Sequence, residues 1–245
     1  MRLTRVHVDL PLAPGARITL PDAAAAHLLR VLRLREGDAC VLFNGDGHDH
    51  DARIVVAGKR GGEALILDRR AVDNESPLRI TLLQGVARGE KMDLILQKAT
   101  ELGVDAVVPV QSERSEVRLD GERALKRLAH WTSVVVAACE QSGRARVPSV
   151  AATASLAEVL GALPAGGLRL LLDPFADANT QSLQAPADAR IVLAVGPEGG
   201  WSPRDRSVLE AVGFGGIRLG PRVLRTETAG LAAIAALQAR FGDLG

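Results

Sequence analysis

Two apolar strands that run straight into glycine- and proline-containing loops, each followed by a helical pattern, constrain this chain most. The first is Leu193-Ala194-Val195-Gly196-Pro197-Glu198-Gly199-Gly200-Trp201-Ser202. The second is Leu219-Gly220-Pro221-Arg222-Val223-Leu224-Arg225-Thr226-Glu227-Thr228-Ala229-Gly230. Both loops fall at carboxyl ends of strands, where open α/β sheets bind ligands. Glycine lets backbone approach a ligand closely, and proline stiffens the loop. The loops lie about one βαβ unit apart, so they can line one crevice. Neither is Gly-x-Gly-x-x-Gly, which argues against a dinucleotide fingerprint. On the loops alone, a ligand crevice and a pair of tight strand-to-helix turns are equally good readings.

The strand–helix alternation extends back to Leu78. Arg79–Gln84, Ala106–Val110, Leu168–Leu172, Ile191–Val195 and Gly216–Leu219 read as strands. Apolar positions at Met92, Ile95, Leu96, Ala99 and Leu102 make a helical stripe ending at Gly103. Residues 121–141 read as a long helix, Ser202-Pro203 as a helix start, and residues 227–241 as a closing Ala-rich helix. Alternation of this kind predicts a mainly parallel sheet over residues 78–245. Residues 1–73 are different. Short alternating strands, a hairpin around a Gly/Asp turn and one helix over Ala23–Leu32 with Asp22 as its N-cap predict a small β-barrel. Asp73-Asn74-Glu75-Ser76-Pro77 is the linker.

Composition excludes several functions. No run is long enough to span a membrane, and the charged, alternating N-terminus is not a signal peptide, so cytoplasm is the default. Cys40 and Cys139 fit no metal or redox spacing. Net charge is only +1. Lysine occurs only at positions 59, 91, 98 and 126, so 26 of the 30 basic residues are arginine. That bias suits bidentate phosphate contacts, and it equally suits a GC-rich genome. Tyrosine is absent and aromatics are few, so a base-stacking platform is poorly supported. RNA binding would rest on phosphates and shape.

The two loops together resemble signature motifs of the SPOUT, or knotted α/β, RNA methyltransferases. The nearest resemblance is to the bacterial family that methylates uridine N3 in 16S ribosomal RNA. Phe43-Asn44-Gly45-Asp46-Gly47, Gln97–Gly103, Ser112-Glu113-Arg114-Ser115 and Ala138–Arg144 extend the match over nearly the whole chain. The resemblance implies a C-terminal trefoil-knot domain, an N-terminal PUA-like barrel, and S-adenosylmethionine as cofactor. It also implies a homodimer with the active site across the interface, and 16S rRNA or the small ribosomal subunit as partner. No metal is implied, because a sulfonium is already an activated donor. It places Gly196, Pro197, Glu198, Gly199, Leu219, Gly220, Pro221, Val223, Leu224, Thr228 and Ala229 around the cofactor. Leu172, at the end of another core strand, reads as a third wall or almost equally as an ordinary strand terminus. A β-branched residue at Gly196 or Gly220 is then expected to fill ligand space and leave the chain folded.

Methylation at N3 needs a proton removed and the uridine anion stabilised. Glu140 is the candidate base, and Arg114 or Arg225 the cation. Each has a plainer alternative. Glu140 sits four residues before Arg144 and can simply pair with it. Arg114 can be a solvated loop residue. Thr226 can be an N-cap and Glu227 a dipole partner, but a cation at a helix N-terminus is unfavourable, so Arg225 points to function. Arg30 and Arg33, three apart on one helical face, are candidate RNA contacts, with a solvated face as the plainer reading; Arg144 and Arg222 are candidates too. Asp46, His48, Asp49, His50 and Asp51 look like metal ligands but read better as a polar hairpin tip. Gly85–Lys91 lacks phosphate-loop spacing. The rival readings are a knotted methyltransferase for a ribose 2′-OH or tRNA base, and a non-catalytic RNA-binding module of the same fold.

Overall fold

The structure, a computed structural model, describes residues 3–58, 61–117 and 119–245. Met1 and Arg2, part of the charged N-terminus, lie outside the described residues. Residues fall into two units: 1–75 with 139–147, and 76–138 with 148–245. The sequence reading put a single boundary at residues 73–78. The structure adds a second excursion, because side chains of the first unit recruit Cys139–Val147.

In the first unit, β1 (Arg5–His7), β2 (Arg17–Thr19), β3 (Ala39–Phe43), β4 (His48–Gly58) and β5 (Gly61–Ala71) form a mixed sheet in the order β1-β3-β4-β5-β2. Only β1 and β3 pair in parallel. Leu28, Leu42, Ile54 and Ile66 are wholly or almost wholly buried in its core. The β3–β4 hairpin turns at Gly45 and Gly47, both with φ +90°. Arg5 is the internal strut. It pairs with Asp49 at 2.6 Å, donates to the Cys139 carbonyl at 2.8 Å, and lies 4.5 Å from the Phe43 ring centroid.

The helix of this unit differs from expectation. It starts at Asp22, with Pro21 rather than Asp22 in the N-cap position (α1, Asp22–Ala25). It then widens into a π-helical turn over Ala26–Val31. Leu32 N–H reaches back to the His27 carbonyl at 3.0 Å, and Arg33 follows in the left-handed region, φ +59°. Arg30 and Arg33 are both exposed, but the three-residue spacing no longer puts them on one α-helical face.

The second unit contains β6 (Arg79–Gly85), α2 (Lys91–Glu101), β7 (Ala106–Gln111), α3 (Gly121–Ser142, its last residues grouped with the first unit), β8 (Ser149–Val150), β9 (Ala154–Ser155), α4 (Leu156–Gly161), β10 (Leu168–Leu172), β11 (Arg190–Val195), α5 (Pro203–Ala211), β12 (Gly215–Ile217) and α6 (Thr226–Phe241). Its sheet runs β12-β10-β11-β6-β7-β8, every pair parallel, with β9 beside β7. Ile191 to Val195 are all buried, as a strand covered on both faces must be. Leu156, Val159, Leu160 and Leu209 from α4 and α5 pack with Leu83, Leu171 and Val192. Helix α5 starts with a complete Ser202/Asp205 capping box and Pro203 in its first turn. Helix α6 buries Gly230, Ala233, Ile234 and Leu237, whereas Ala229, Ala232 and Ala236 stay partly exposed.

Candidate active site

The carboxyl ends of β10, β11 and β12 place Leu172, Val195 and Ile217 side by side. Above them opens a cavity of about 590 Å³, walled by the 196–201 loop and the 219–225 segment.

The first loop is shaped by its own backbone. A Cβ on Gly196 would lie 2.9 Å from Gly200 Cα and C and from Trp201 N. The amide of Gly200 donates to the Pro197 carbonyl at 2.8 Å, closing the turn. Behind it, a Cβ on Gly85 would lie 2.5 Å from Pro197 N and Cδ. Gly196 and Gly85 are therefore glycine because protein backbone crosses there. This corrects the expectation that a larger residue at Gly196 would only intrude on ligand space and leave the fold intact. Gly220 is a different case: its φ is +80° and nothing lies within 4 Å of an added Cβ, so conformation alone demands glycine.

The charges come from six segments. Arg114, beyond the end of β7, donates to the Gly199 carbonyl at 2.9 Å. Glu198 accepts from the Arg88 amide at 3.1 Å and from Lys91 Nζ at 3.2 Å. Burial works to raise the Glu198 pKa, but the Arg88 and Lys91 contacts outweigh it and hold the carboxyl below its ordinary range. Lys91 also stands 3.7 Å from Glu227. Asp173, at the end of β10, is buried and ion-paired with Arg206, and that hydrogen bond depresses its pKa. Arg222 and Arg225 stand in the wall, both exposed. Arg225 itself takes the extended N-cap position of α6, without a capping side chain.

Of the residues read from the sequence, Arg114, Leu172, Gly196, Pro197, Glu198, Gly199, Leu219, Arg222, Val223, Leu224, Arg225 and Ala229 all line the cavity. Gly220, Pro221 and Thr228 belong to the same segment but are not lining residues, and Thr228 instead donates its amide to Arg225 at the start of α6. Thr226 is the first residue of α6 rather than its N-cap.

Glu140 and Arg144 behave differently from the pairing considered for them. Glu140 Oε1 accepts the His7 amide at 2.9 Å. Arg144 pairs with Glu75 at 2.5 Å, and its side chain is only 7% exposed. A guanidinium so enclosed does not present itself to a phosphate, so Arg144 is corrected from RNA contact to internal tie.

Sequence reasoning missed Lys91, Phe175, Trp201 and Arg206 in the wall. Lys91 was visible only as the end of a loop with the wrong phosphate-loop spacing. Arg206 carried no signal, because its partner Asp173 lies 33 residues away. Among the described residues, no three His, Cys, Asp or Glu side chains are grouped to hold a metal. Nor is any helix among them long and apolar enough to cross a membrane.

Comparison with known proteins agrees with this geometry. Residues 74–238 match the model of an RNA methyltransferase domain, and residues 20–67 that of an RNA methyltransferase PUA domain. The chain is 31% identical to ribosomal RNA small subunit methyltransferase E of Buchnera aphidicola over 99% of its length and 98% of the relative's. It is 36% identical to the protein of that name from Mycobacterium bovis, covering 89% and 88%. Among solved structures, ribosomal RNA small subunit methyltransferase E from Neisseria gonorrhoeae, bound to S-adenosyl methionine, superposes with a TM-score of 0.93 at 43% identity, with both chains fully covered. A Legionella pneumophila protein solved with the same cofactor gives 0.94 at 35%, again over both whole chains.

Proposed function

The chain belongs to the RNA methyltransferase family that carries a PUA domain, and from that premise we propose that it methylates N3 of a uridine in 16S ribosomal RNA, with S-adenosylmethionine as donor. The cavity at the ends of β10, β11 and β12 carries this reading. Its apolar strand ends suit an adenine ring, and its two loops offer backbone donors and acceptors to a ribose. Trp201, also in the wall, has a buried indole N–H without an acceptor among the described residues. Leu172, the 196–200 loop and the 219–224 segment would hold the cofactor, which supplies a methyl group on a sulfonium.

The remaining chemistry falls to the protein's own side chains. Arg114 and Arg225 stand in the wall as cations for the charge that develops on the uridine O2 or O4 as the N3 proton leaves. Arg222 in the wall, with Arg30 and Arg33 on the PUA unit, contacts phosphates. Glu140 is our candidate proton acceptor, although it is not a cavity-lining residue and its Oε1 already accepts the His7 amide. Replacing it with Gln lowers the rate and shifts its pH dependence if the assignment holds. An unchanged rate across pH leaves arginine stabilisation and orientation as the mechanism.

The partly exposed alanines of α6, with exposed Phe175 and Val223, support a homodimer, and a substrate in the small ribosomal subunit supports a cytoplasmic location. An active monomer in sedimentation would refute the dimeric site. Incubation of the protein with S-adenosylmethionine and unmethylated small subunits, followed by mass-spectrometric mapping, tests the reaction. A single N3-methyluridine is expected. Methyl on a ribose or on tRNA would favour the rival knotted enzymes, and cofactor binding without methyl transfer a binding module.

A further inference from the structure

Gln84 lies at the end of β6, wholly buried, and is not a cavity-lining residue. Its side-chain Nε2 donates to two acceptors, the Gly85 carbonyl and Thr226 Oγ1, each at 2.9 Å. The Thr226 hydroxyl, having accepted from Gln84, sends its own proton to the Gly196 carbonyl at 2.6 Å. The relay therefore runs one way, from the β6 end through the first residue of α6 to the first residue of the glycine loop. Each link joins a segment that the cavity depends on. Gly196 opens the 196–201 loop, and Arg225 immediately precedes Thr226.

We propose that Gln84 is a positioning residue: acting through the Thr226 hydroxyl, it sets the spacing between the 196–201 loop and the 219–225 segment, and so the affinity of the site for S-adenosylmethionine. This rests on the cofactor reading given above. The chemistry favours it over simple polar satisfaction in the core. Among the described residues, Gln84 Oε1 finds no partner. A residue selected only for core stability would gain from an apolar side chain of similar size, since an unpaired buried amide oxygen costs free energy. What the amide supplies, and an apolar group cannot, is the direction of the Thr226 hydroxyl. With the Gln84 donor gone, that hydroxyl is no longer held between two fixed partners.

The test is cofactor affinity by titration calorimetry, together with the rise in melting temperature that S-adenosylmethionine produces. It uses the full chain with Gln84→Met, Thr226→Val, Thr226→Ser and the Gln84→Met/Thr226→Val pair. Loss of one well-made hydrogen bond in the relay is expected to weaken binding about tenfold in each of the first two variants. Thr226→Ser, which keeps the hydroxyl, stays within about twofold, well under the tenfold step. The paired variant binds no worse than about the weaker single one, because both changes break the same relay. The cofactor-induced rise in melting temperature shrinks in parallel.

Wild-type affinity in Gln84→Met, with melting lowered equally with and without cofactor, overturns the proposal and leaves Gln84 a core residue. So do multiplicative losses in the paired variant. If Gln84→Met fails to fold, the Thr226 pair decides: equal affinity in Thr226→Val and Thr226→Ser overturns it. A wild-type chain that binds no S-adenosylmethionine overturns the cofactor reading as well, which separates the two failures.

Discussion

Replacing Gly196 with alanine isolates the physical demand at the centre of this site. The added Cβ would stand 2.9 Å from three backbone atoms, Gly200 Cα, Gly200 C and Trp201 N. Backbone cannot rotate away as a side-chain tip can, and this turn is already closed by the Gly200–Pro197 hydrogen bond at 2.8 Å. Overpacking of this kind costs about 1–3 kcal/mol. In a protein of this size each kcal/mol lowers the melting temperature by about 2–4 °C, so a fall of about 2–12 °C is expected. Because the displaced atoms form the cavity wall, S-adenosylmethionine binding should be lost as well. Gly220→Ala is the matched control. Its Cβ meets nothing within 4 Å, and the penalty is only that of a left-handed backbone at φ +80°. That is about 1–2 kcal/mol, with a modest loss of affinity. Differential scanning fluorimetry and calorimetry read both variants. A Gly196→Ala protein with wild-type melting and wild-type affinity would refute the close-approach argument. Gly220→Ala proving the more damaging would refute it too.

Other consequences can be checked in the same preparations. Arg30→Ala with Arg33→Ala should weaken RNA binding and flatten its salt dependence with little change in maximal rate, read from binding isotherms at several salt concentrations. Arg114→Ala or Arg225→Ala should lower the rate at saturating RNA, since each removes charge stabilisation made in the transition state; an unchanged rate would remove that arginine from the reaction. Stability should respond to pH through His50 and His7. Burial is the main cause holding both below the ordinary 6.5, opposed at His50 by Asp46 and at His7 by Asp9 and Glu140. The unfolded chain therefore takes up protons first as pH falls. Stability is in place above pH 6.5 and is lost as pH drops through that value toward the folded pKa values. His50→Gln should flatten the melting-temperature profile between about pH 5 and 7, where histidine titrates; a profile identical to wild type would count against it. Asp173 and Glu198, both held below their ordinary values, add stability that is lost only at more acid pH, as they are protonated.

Local signals sufficed for whatever depended on neighbours along the chain. The 3.6-residue stripe of α2, the Ser202-Pro203 start of α5, the buried run of β11 and the hairpin at Gly45–Gly47 were all legible, since backbone geometry and burial there follow from adjacent residues. So were the two loops as glycine-containing turns at strand ends, although on their own they fitted a ligand crevice and tight strand-to-helix turns equally well. The helix near residue 22 was legible in kind but not in form. The pattern gave no sign of the π-helical turn that carries Arg33 past the helix end.

What tertiary structure alone decided were the partnerships across long stretches of chain. Asp173 finds Arg206, Lys91 finds Glu198, and Gln84 reaches Thr226 across 142 residues. Arg144, a candidate RNA contact or Glu140 partner by sequence, is enclosed because Glu75 meets it, and Glu140 is engaged because the His7 amide meets it. Gly196 was recognisable as a glycine the loop needs, but the reason was not: the atoms a Cβ would strike belong to its own turn. Hydrophobic periodicity and turn chemistry are properties of a segment, readable from it. The state of a charge or a buried amide depends on which groups the fold brings within about 3 Å, and a hydrogen bond or ion pair records nothing of that in the residues between its ends.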